Sequence, residues 1–230
     1  YYAQDSSCSA SVRTLITVTV NPQITSTVSS QTNILCNGGS TGAATVLPAG
    51  GTSPFTYSWA PSGGTAATTT GRAAGTYTCT ITDASGCTRA QTVTLTQPPA
   101  ITSSVSSQTN ISCNGGSNGA ATILAGGGTG PYTYLWTPSG GTAATTTGRT
   151  AGTYTCTITD ANGCTRAQTV TLTQPPAITS SVSSQTNISC NGGANGSATI
   201  LAGGGTPGYT YSWAPSGGTA ATATGLGANT

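Results

Sequence analysis

GTYTCTITDANGCTRAQTVTLTQPP, residues 152–176, decides the fold. Its first half alternates strictly, with Thr153, Thr155, Thr157 and Thr159 on one parity and Tyr154, Cys156 and Ile158 on the other. Strand side chains point to opposite faces with a period of two, so this is a half-buried strand with an apolar inner face and a threonine outer face. The second half repeats the pattern, with Val170 and Leu172 facing inward. Between the halves, Asp160 precedes Asn162-Gly163, the kind of dipeptide that tight hairpin turns require. Pro175-Pro176 then ends the strand, because proline has no N–H to give a ladder. The stretch reads as a hairpin whose turn Asp160 caps.

The same hairpin stands 77 residues earlier: GTYTCTITDASGCTRAQTVTLTQPPAITSSVSS begins at Gly75 and returns at Gly152 with one change, Ser85 to Asn162. Gln31, Gln108 and Gln185 keep this spacing, as do Cys36, Cys113 and Cys190, and Trp59, Trp136 and Trp213. Identity at a fixed period is the signature of a repeat architecture. Pro22, Pro98-Pro99 and Pro175-Pro176 mark the boundaries. They give complete repeats at 23–99 and 100–176, a partial third repeat at 177–230, and, at 1–22, the closing strands of a preceding immunoglobulin-like domain. A half-domain leaves an open sheet edge, so the expectation is a window on a longer polypeptide.

Working outward through 100–176, the alternation predicts strands near 101–106, 109–113, 119–125, 131–137, 143–148, 152–159 and 165–173. No segment has helical periodicity. Short strands at this density imply an all-β fold of tandem immunoglobulin-like β-sandwich repeats, 77 residues each. The expected aromatic core is Tyr57, Trp59 and Tyr77 in one repeat and Tyr134, Trp136 and Tyr154 in the next. The row Tyr132, Tyr134 and Trp136 could also stack on a sugar, but a domain this small needs its large side chains inside.

Composition narrows the function. Only 3% of the residues are charged: five arginines and Asp5, Asp83 and Asp160, for a net charge of +2, with no Lys, Glu, His or Met. Recurrent Val, Ile, Thr, Tyr and Trp argue for folded β-structure over disorder. Without a basic cluster, nucleic acid is not an expected partner. No apolar run is long enough to span a bilayer, and the strand-like opening at Tyr1-Tyr2 is not expected to be a signal peptide. General acid–base catalysis requires a group that titrates near working pH, and the only acids sit in turns. No catalytic residue, cofactor or metal site is expected, and calcium at Asp160 and Asn162 would rest on one carboxylate.

Three cysteines per repeat in so uncharged a chain imply an oxidising, extracellular setting. If Asn162-Gly163 is the turn, Cys164 lies beside it and Cys156 several residues up the partner strand. At about 3.3 Å per residue the two are too far apart to bridge, so Cys113 must choose between them. Aligned on Asp5 with one residue fewer in the turn, Cys8 matches Cys87, whereas Tyr1 stands where Cys79 does. The expected disulfides are therefore Cys36–Cys87 and Cys113–Cys164, with Cys79 and Cys156 as buried thiols. The rival is Cys36–Cys79. It draws on the Tyr77-x-Cys79 spacing, which resembles an immunoglobulin tyrosine corner. Against it, Trp59 follows Cys36 at a longer interval than immunoglobulin domains use.

SCNGGSNGAATIL, GGGTGPYTYLWTPSGGT and GTYTCTITDANGCTRAQTVTLTQPP together resemble the SprB-type repeat of very large surface proteins in Bacteroidota. The resemblance implies export to the cell surface, typically by type IX secretion, and a role in mobile gliding adhesins or long surface filaments. It also implies cysteines in the S-C-N-G and D-x-x-G-C motifs, here Cys113 and Cys164. Three functions then compete. The first is a structural and adhesive filament whose partners are neighbouring repeats, other copies of itself and a surface or glycan target. The second is a subunit in which residues 1–22 of one copy complete 177–230 of the next, with Cys8 reaching Cys190. The third is a glycan- or ice-binding module using the array Thr153, Thr155, Thr157 and Thr159. The plain account of that array is that threonine is a good strand former.

Overall fold

The computed structural model describes residues 15–61, 63–138, 140–215 and 218–228. The chain forms two compact units, Tyr1–Pro98 and Pro99–Thr230. The first holds one repeat of six strands: β1 (Thr25–Thr32), β2 (Gly42–Ala49), β3 (Thr56–Ala60), β4 (Thr68–Arg72), β5 (Gly75–Thr82) and β6 (Thr88–Leu95). They pair antiparallel into two sheets, β1-β2-β4 and β3-β5-β6. Residues from both sheets form a single core: Ile34, Ala44 and Val46 meet Trp59, Tyr77, Cys79, Ile81, Val93 and Leu95. Two sheets enclosing one core make a β-sandwich, and the strand order is that of an immunoglobulin-like fold.

The second unit repeats this plan with β7 (Thr102–Thr109), β8 (Gly119–Gly126), β9 (Thr133–Thr137), β10 (Thr145–Arg149), β11 (Gly152–Thr159) and β12 (Thr165–Leu172). Its sheets are β10-β8-β7 and β12-β11-β9. The third repeat contributes β13 (Thr179–Thr186), β14 (Gly196–Gly203) and β15 (Thr222–Leu226), a single three-stranded sheet. With no second sheet over it among the described residues, Ile178 is 71% exposed, whereas the equivalent Ile101 is 9%.

Two immunoglobulin hallmarks are present. Trp59 and Trp136 lie on β3 and β9 at 2% and 0% exposure, and each indole N–H donates to a backbone carbonyl, Ala66 or Ala143. Tyr77 donates its hydroxyl to the Ala73 carbonyl and Tyr154 to that of Thr150, four residues upstream in each case. This is the tyrosine corner that the Tyr77-x-Cys79 spacing resembled. Tyr57 and Tyr134 pack half-buried against the same cores.

Two expected elements differ. Residues 110–118 are a loop, not the strand expected at 109–113. Asn110 accepts the Thr173 N–H, Asn118 accepts that of Ser112, and Gly116 N–H closes a turn on Cys113. Side chains here supply the bonds that a ladder would have supplied. Residues 15–22, read as part of a closing strand, are exposed and have no ladder partner among the described residues, with Leu15 at 89% and Val20 at 85%. Alternation alone makes no strand when no neighbour takes up the backbone groups. The rest of 1–22, Cys8 included, lies outside the described residues.

The core sets the stability of each repeat. Trp136→Ala should cost about 3–5 kcal/mol, as aromatic truncations in packed cores do. Tyr154→Phe should cost about 1 kcal/mol, the net worth of one hydrogen bond. Urea denaturation followed by tryptophan fluorescence for the tyrosine variant, and by circular dichroism for both, measures the two losses.

Candidate functional site

Each complete repeat has two distinct poles, because the chain enters at one end of the sandwich and leaves at the other. At the N-terminal pole of the second repeat, Gly128 N–H donates to the Pro99 carbonyl (2.9 Å) and Ala161 N–H to that of Thr129 (2.9 Å). Asp160, 5% exposed, sits between these segments. One carboxylate oxygen accepts the N–H groups of Asn162 and Cys164 (both 2.9 Å), and the other accepts that of Thr129 (3.0 Å). A single acid thereby closes the hairpin turn and ties it to the loop at Thr129, whose neighbour Gly128 holds the incoming chain. Gly127 makes the close approach possible: its φ is +64°, and a Cβ there would lie 2.0 Å from the Ala100 carbonyl oxygen. Asp83 repeats the arrangement with Ser85, Cys87 and Thr52.

These bonds tune the acids. Donation by Thr52 N–H does most to hold Asp83 below the ordinary carboxylate range, with Cys87 and Ser85 adding to it against the opposing effect of burial. For Asp160 burial is the largest influence and pushes upward, but the N–H groups of Cys164, Thr129 and Asn162 together outweigh it. Both carboxylates are thus held ionised by backbone donors. Among the described residues no cluster of acid, histidine or cysteine side chains could hold a metal ion.

At the C-terminal pole the loop 110–118 is fastened to the outgoing chain. Ile111 N–H donates to the Thr173 carbonyl, Asn114 Nδ2 to the Pro175 carbonyl (3.1 Å), and Gly115 N–H to the Gln174 side chain (2.9 Å). The first repeat does the same with Ile34, Asn37 and Gly38 against Thr96, Pro98 and Gln97. This loop carries Cys113, or Cys36 in the first repeat.

The poles overturn the expected disulfides. Cys164 lies at the N-terminal pole and Cys113 at the C-terminal pole, with the length of β12 between them. A strand rises about 3.3 Å per residue, so β12 alone holds the two roughly 25 Å apart, against the 4.4–6.8 Å between α-carbons that a disulfide needs. Accordingly Cys87 and Cys113 are free and exposed, while Cys36 and Cys164 carry disulfide bonds. Neither Cys36–Cys87 nor Cys113–Cys164 is formed. Hairpin spacing correctly separated Cys156 from Cys164, but nothing in it told which pole the C-N-G loop occupies. Cys79 and Cys156 are buried free thiols, which also removes the rival Cys36–Cys79 bridge. Burial pushes both thiols up, against smaller opposing contacts from the backbone of Ser58 and Leu135.

The outer face of β9, β11 and β12 is lined by threonine. Thr153 faces Thr171, Thr155 lies between Thr137 and Thr169, and Thr159 lies between Thr133 and Thr165. Leu135, 51% exposed, interrupts the array beside Thr157. One set of residues escaped the sequence reading: Arg149 donates to Thr146 Oγ1 and to the Gly140 carbonyl, and Arg72 to Thr69 Oγ1 and the Gly63 carbonyl. The signal was there in the 77-residue spacing of both arginines. They pin the loop between β9 and β10, and its counterpart between β3 and β4, beside the tryptophan: a Cβ at Gly141 or Gly64 would face both side chains.

Against known families, the SprB repeat matches residues 28–64, 105–141 and 182–218. The chain carries three SprB repeats. Each SprB match begins within the first strand of its repeat and ends in the loop after the tryptophan, so the Asp hairpin lies beyond it. A chain of such repeats is a structural or adhesive region of a surface protein. No curated protein matches. Among solved structures, three N-terminal domains of the Hoc outer capsid protein of bacteriophage RB49 are 14% identical (TM-score 0.41), over 91% of this chain and 82% of that one. A 282-residue C-terminal fragment of intimin is 15% identical (TM-score 0.35), over 70% and 67%. The N-terminal eight Ig domains of the Down syndrome cell adhesion molecule are also 15% identical (TM-score 0.29), over 74% and 29%.

Two outcomes follow from this geometry. In the native protein, alkylation should modify Cys87, Cys113 and Cys190 and spare Cys79 and Cys156 until the repeats unfold. Mass spectrometry of the labelled peptides checks it. Equal native labelling of Cys79 and Cys87 would contradict the buried assignment. The lowered pKa values of Asp83 and Asp160 mean that their stabilisation is complete above the unfolded value of about 3.9 and is lost as pH falls through the still lower folded values. Thermal melting from neutral pH downward should therefore be flat until about pH 4 and then fall, and Asp83→Asn with Asp160→Asn should remove that slope.

Proposed function

We propose that this chain is part of a long cell-surface filament whose repeats act in series as structural and adhesive beads rather than as catalysts. The observation that carries this reading is the two-pole construction of each SprB repeat. The chain enters beside the Asp hairpin and leaves beside the C-N-G loop, so repeats can be added one after another without altering the fold. Low charge supports side-by-side association, since little repulsion keeps copies apart. The partners in this reading are neighbouring repeats, other copies of the chain and a surface or glycan target, and the compartment is extracellular. Movement of the filament along the cell, as in gliding, and delivery by type IX secretion are the finer parts of the proposal.

A second reading draws on the threonine face. Its hydroxyls and methyls stand in strand register, and such an array could meet a glycan, ice or another sheet. Antibodies against this chain test both readings on intact producing cells. Surface labelling and loss of attachment under flow support the filament, labelled filaments that travel along the cell support gliding, and absence of surface label sinks both. Thr155→Lys with Thr157→Lys should abolish attachment if the threonine face is the adhesive one, and unchanged attachment assigns adhesion elsewhere.

A further inference from the structure

We propose that each complete repeat carries a mechanical latch: its first and last strands run parallel and are fastened directly together by side-chain amides and hydroxyls, so that tension along the chain is taken in shear. In the first repeat Ser26 Oγ donates to Gln91 Oε1 (2.9 Å), Gln31 Nε2 to the Thr94 carbonyl (2.8 Å), and Thr96 N–H to Asn33 Oδ1 (3.0 Å). Residues 26, 31 and 33 thus meet 91, 94 and 96 in the same order, so β1 and β6 point the same way. Asn37 and Gly38 continue the series onto Pro98 and Gln97. The second repeat has the same set: Ser103 donates to Gln168 (2.9 Å), Gln108 to the Thr171 carbonyl (2.9 Å), and Thr173 N–H to Asn110 (3.1 Å).

β1 and β6 belong to different sheets, as do β7 and β12, so no backbone ladder joins them and side chains take its place. The prong that reaches across is set by its own strand. Gln31 Nε2 donates to Asn33 Oδ1 (3.0 Å) and Gln108 to Asn110 (3.0 Å). Gln185 and Asn187 hold the same bond (2.9 Å) with no last strand against them among the described residues. Behind the prong lies an apolar plug. Ile34 and Leu95 both press on Gly42, where a Cβ would lie 3.1 Å from one side chain and 2.9 Å from the other; Ile111 and Leu172 do the same at Gly119. Sliding the last strand along the first therefore breaks the bonds and draws a buried leucine out of the core.

The chain enters each repeat ahead of β1 or β7 and leaves it past β6 or β12. Tension then draws two parallel strands in opposite directions along their own lengths. Bonds that lie across the pull share the load, whereas bonds met end-on by a peeling strand break one at a time. The latch joins the two loaded strands directly, and every other route between them runs through both sheets and the core. Its members carry no charge, so salt that screens ion pairs leaves it intact. The inference rests on the filament reading for its use, since a filament is what puts its repeats under tension.

Single-molecule pulling of the full chain, held at its two termini, tests the latch. Reductant is present so that the disulfides at Cys36 and Cys164 bear no load. Each complete repeat of 77 residues should release roughly 200–250 Å of chain as it unfolds, which identifies the events. Asn33→Ala with Asn110→Ala removes two bonds per repeat and should shorten the lifetime under constant load roughly tenfold, because these bonds are lost on the way to the barrier. Tyr77→Phe with Tyr154→Phe removes a corner bond that shear leaves in place, and should keep the lifetime within about twofold although stability in urea falls. An unchanged lifetime in the asparagine variant overturns the proposal. So does equal shortening by both variants at matched loss in urea. If the asparagine variant lacks the circular dichroism of the folded chain, Ser26→Ala with Ser103→Ala replaces it, with roughly threefold shortening expected and no change overturning the proposal. Pulling uses the isolated chain, so its failure is separate from any failure of surface labelling on cells.

Discussion

Each complete repeat depends on the strand at the centre of its second sheet, β5 or β11. It has ladder partners along both edges, β6 and β3 or β12 and β9. Every backbone group of its central residues therefore has a ladder position, and its inner face is buried throughout: Tyr154, Cys156 and Ile158 are 7%, 0% and 0% exposed. Trp136 is opposite Cys156 in register, so the largest side chain of the core is seated against the smallest inward residue of that strand. A thiol, soft and compact, fits where a larger apolar group would crowd the indole. The absence of the usual immunoglobulin cross-sheet bridge follows from the same arrangement. The facing strand presents Ala121 and Ile123, and the core is held by packing alone.

At the ends of that strand the sandwich must satisfy backbone groups that no ladder reaches, and it does so with very little charge. One aspartate at the N-terminal pole takes up three N–H groups, and asparagine and glutamine side chains perform the same task at the C-terminal pole. Both acids of the complete repeats are spent on this architecture. Much of the rest of the surface is threonine, serine and glycine, broken by exposed leucines such as Leu124 and Leu135, with arginines used as clamps at Arg72 and Arg149. A structural repeat needs only to be stable and to pass its chain from pole to pole, and these residues suffice for it.

Much of this was legible in the sequence. Alternation over 152–159 and 165–172 exposed two strands and their inner faces, Asn162-Gly163 placed the hairpin, and the 77-residue period divided the chain. The tryptophans and tyrosines of the core were legible because a small domain has no other use for them. Residues 109–113 misled because their apolar positions also alternate, yet Asn110 and Asn118 draw the backbone into a loop. Residues 15–20 have the pattern of a strand but no ladder partner among the described residues.

What the sequence determined by itself, then, is whatever depends on neighbours along the chain: strand parity, turn chemistry, repeat length and the family to which these motifs belong. Only the tertiary structure decided which pole each cysteine occupies. A loop residue's place in space depends on which carbonyls its own loop binds, and for Cys36 and Cys113 those lie about sixty residues downstream. Spacing along the chain carries no trace of such contacts. The same cysteine pattern is compatible with a bridge inside each repeat, until the hydrogen bonds at the two poles set its two loop cysteines apart.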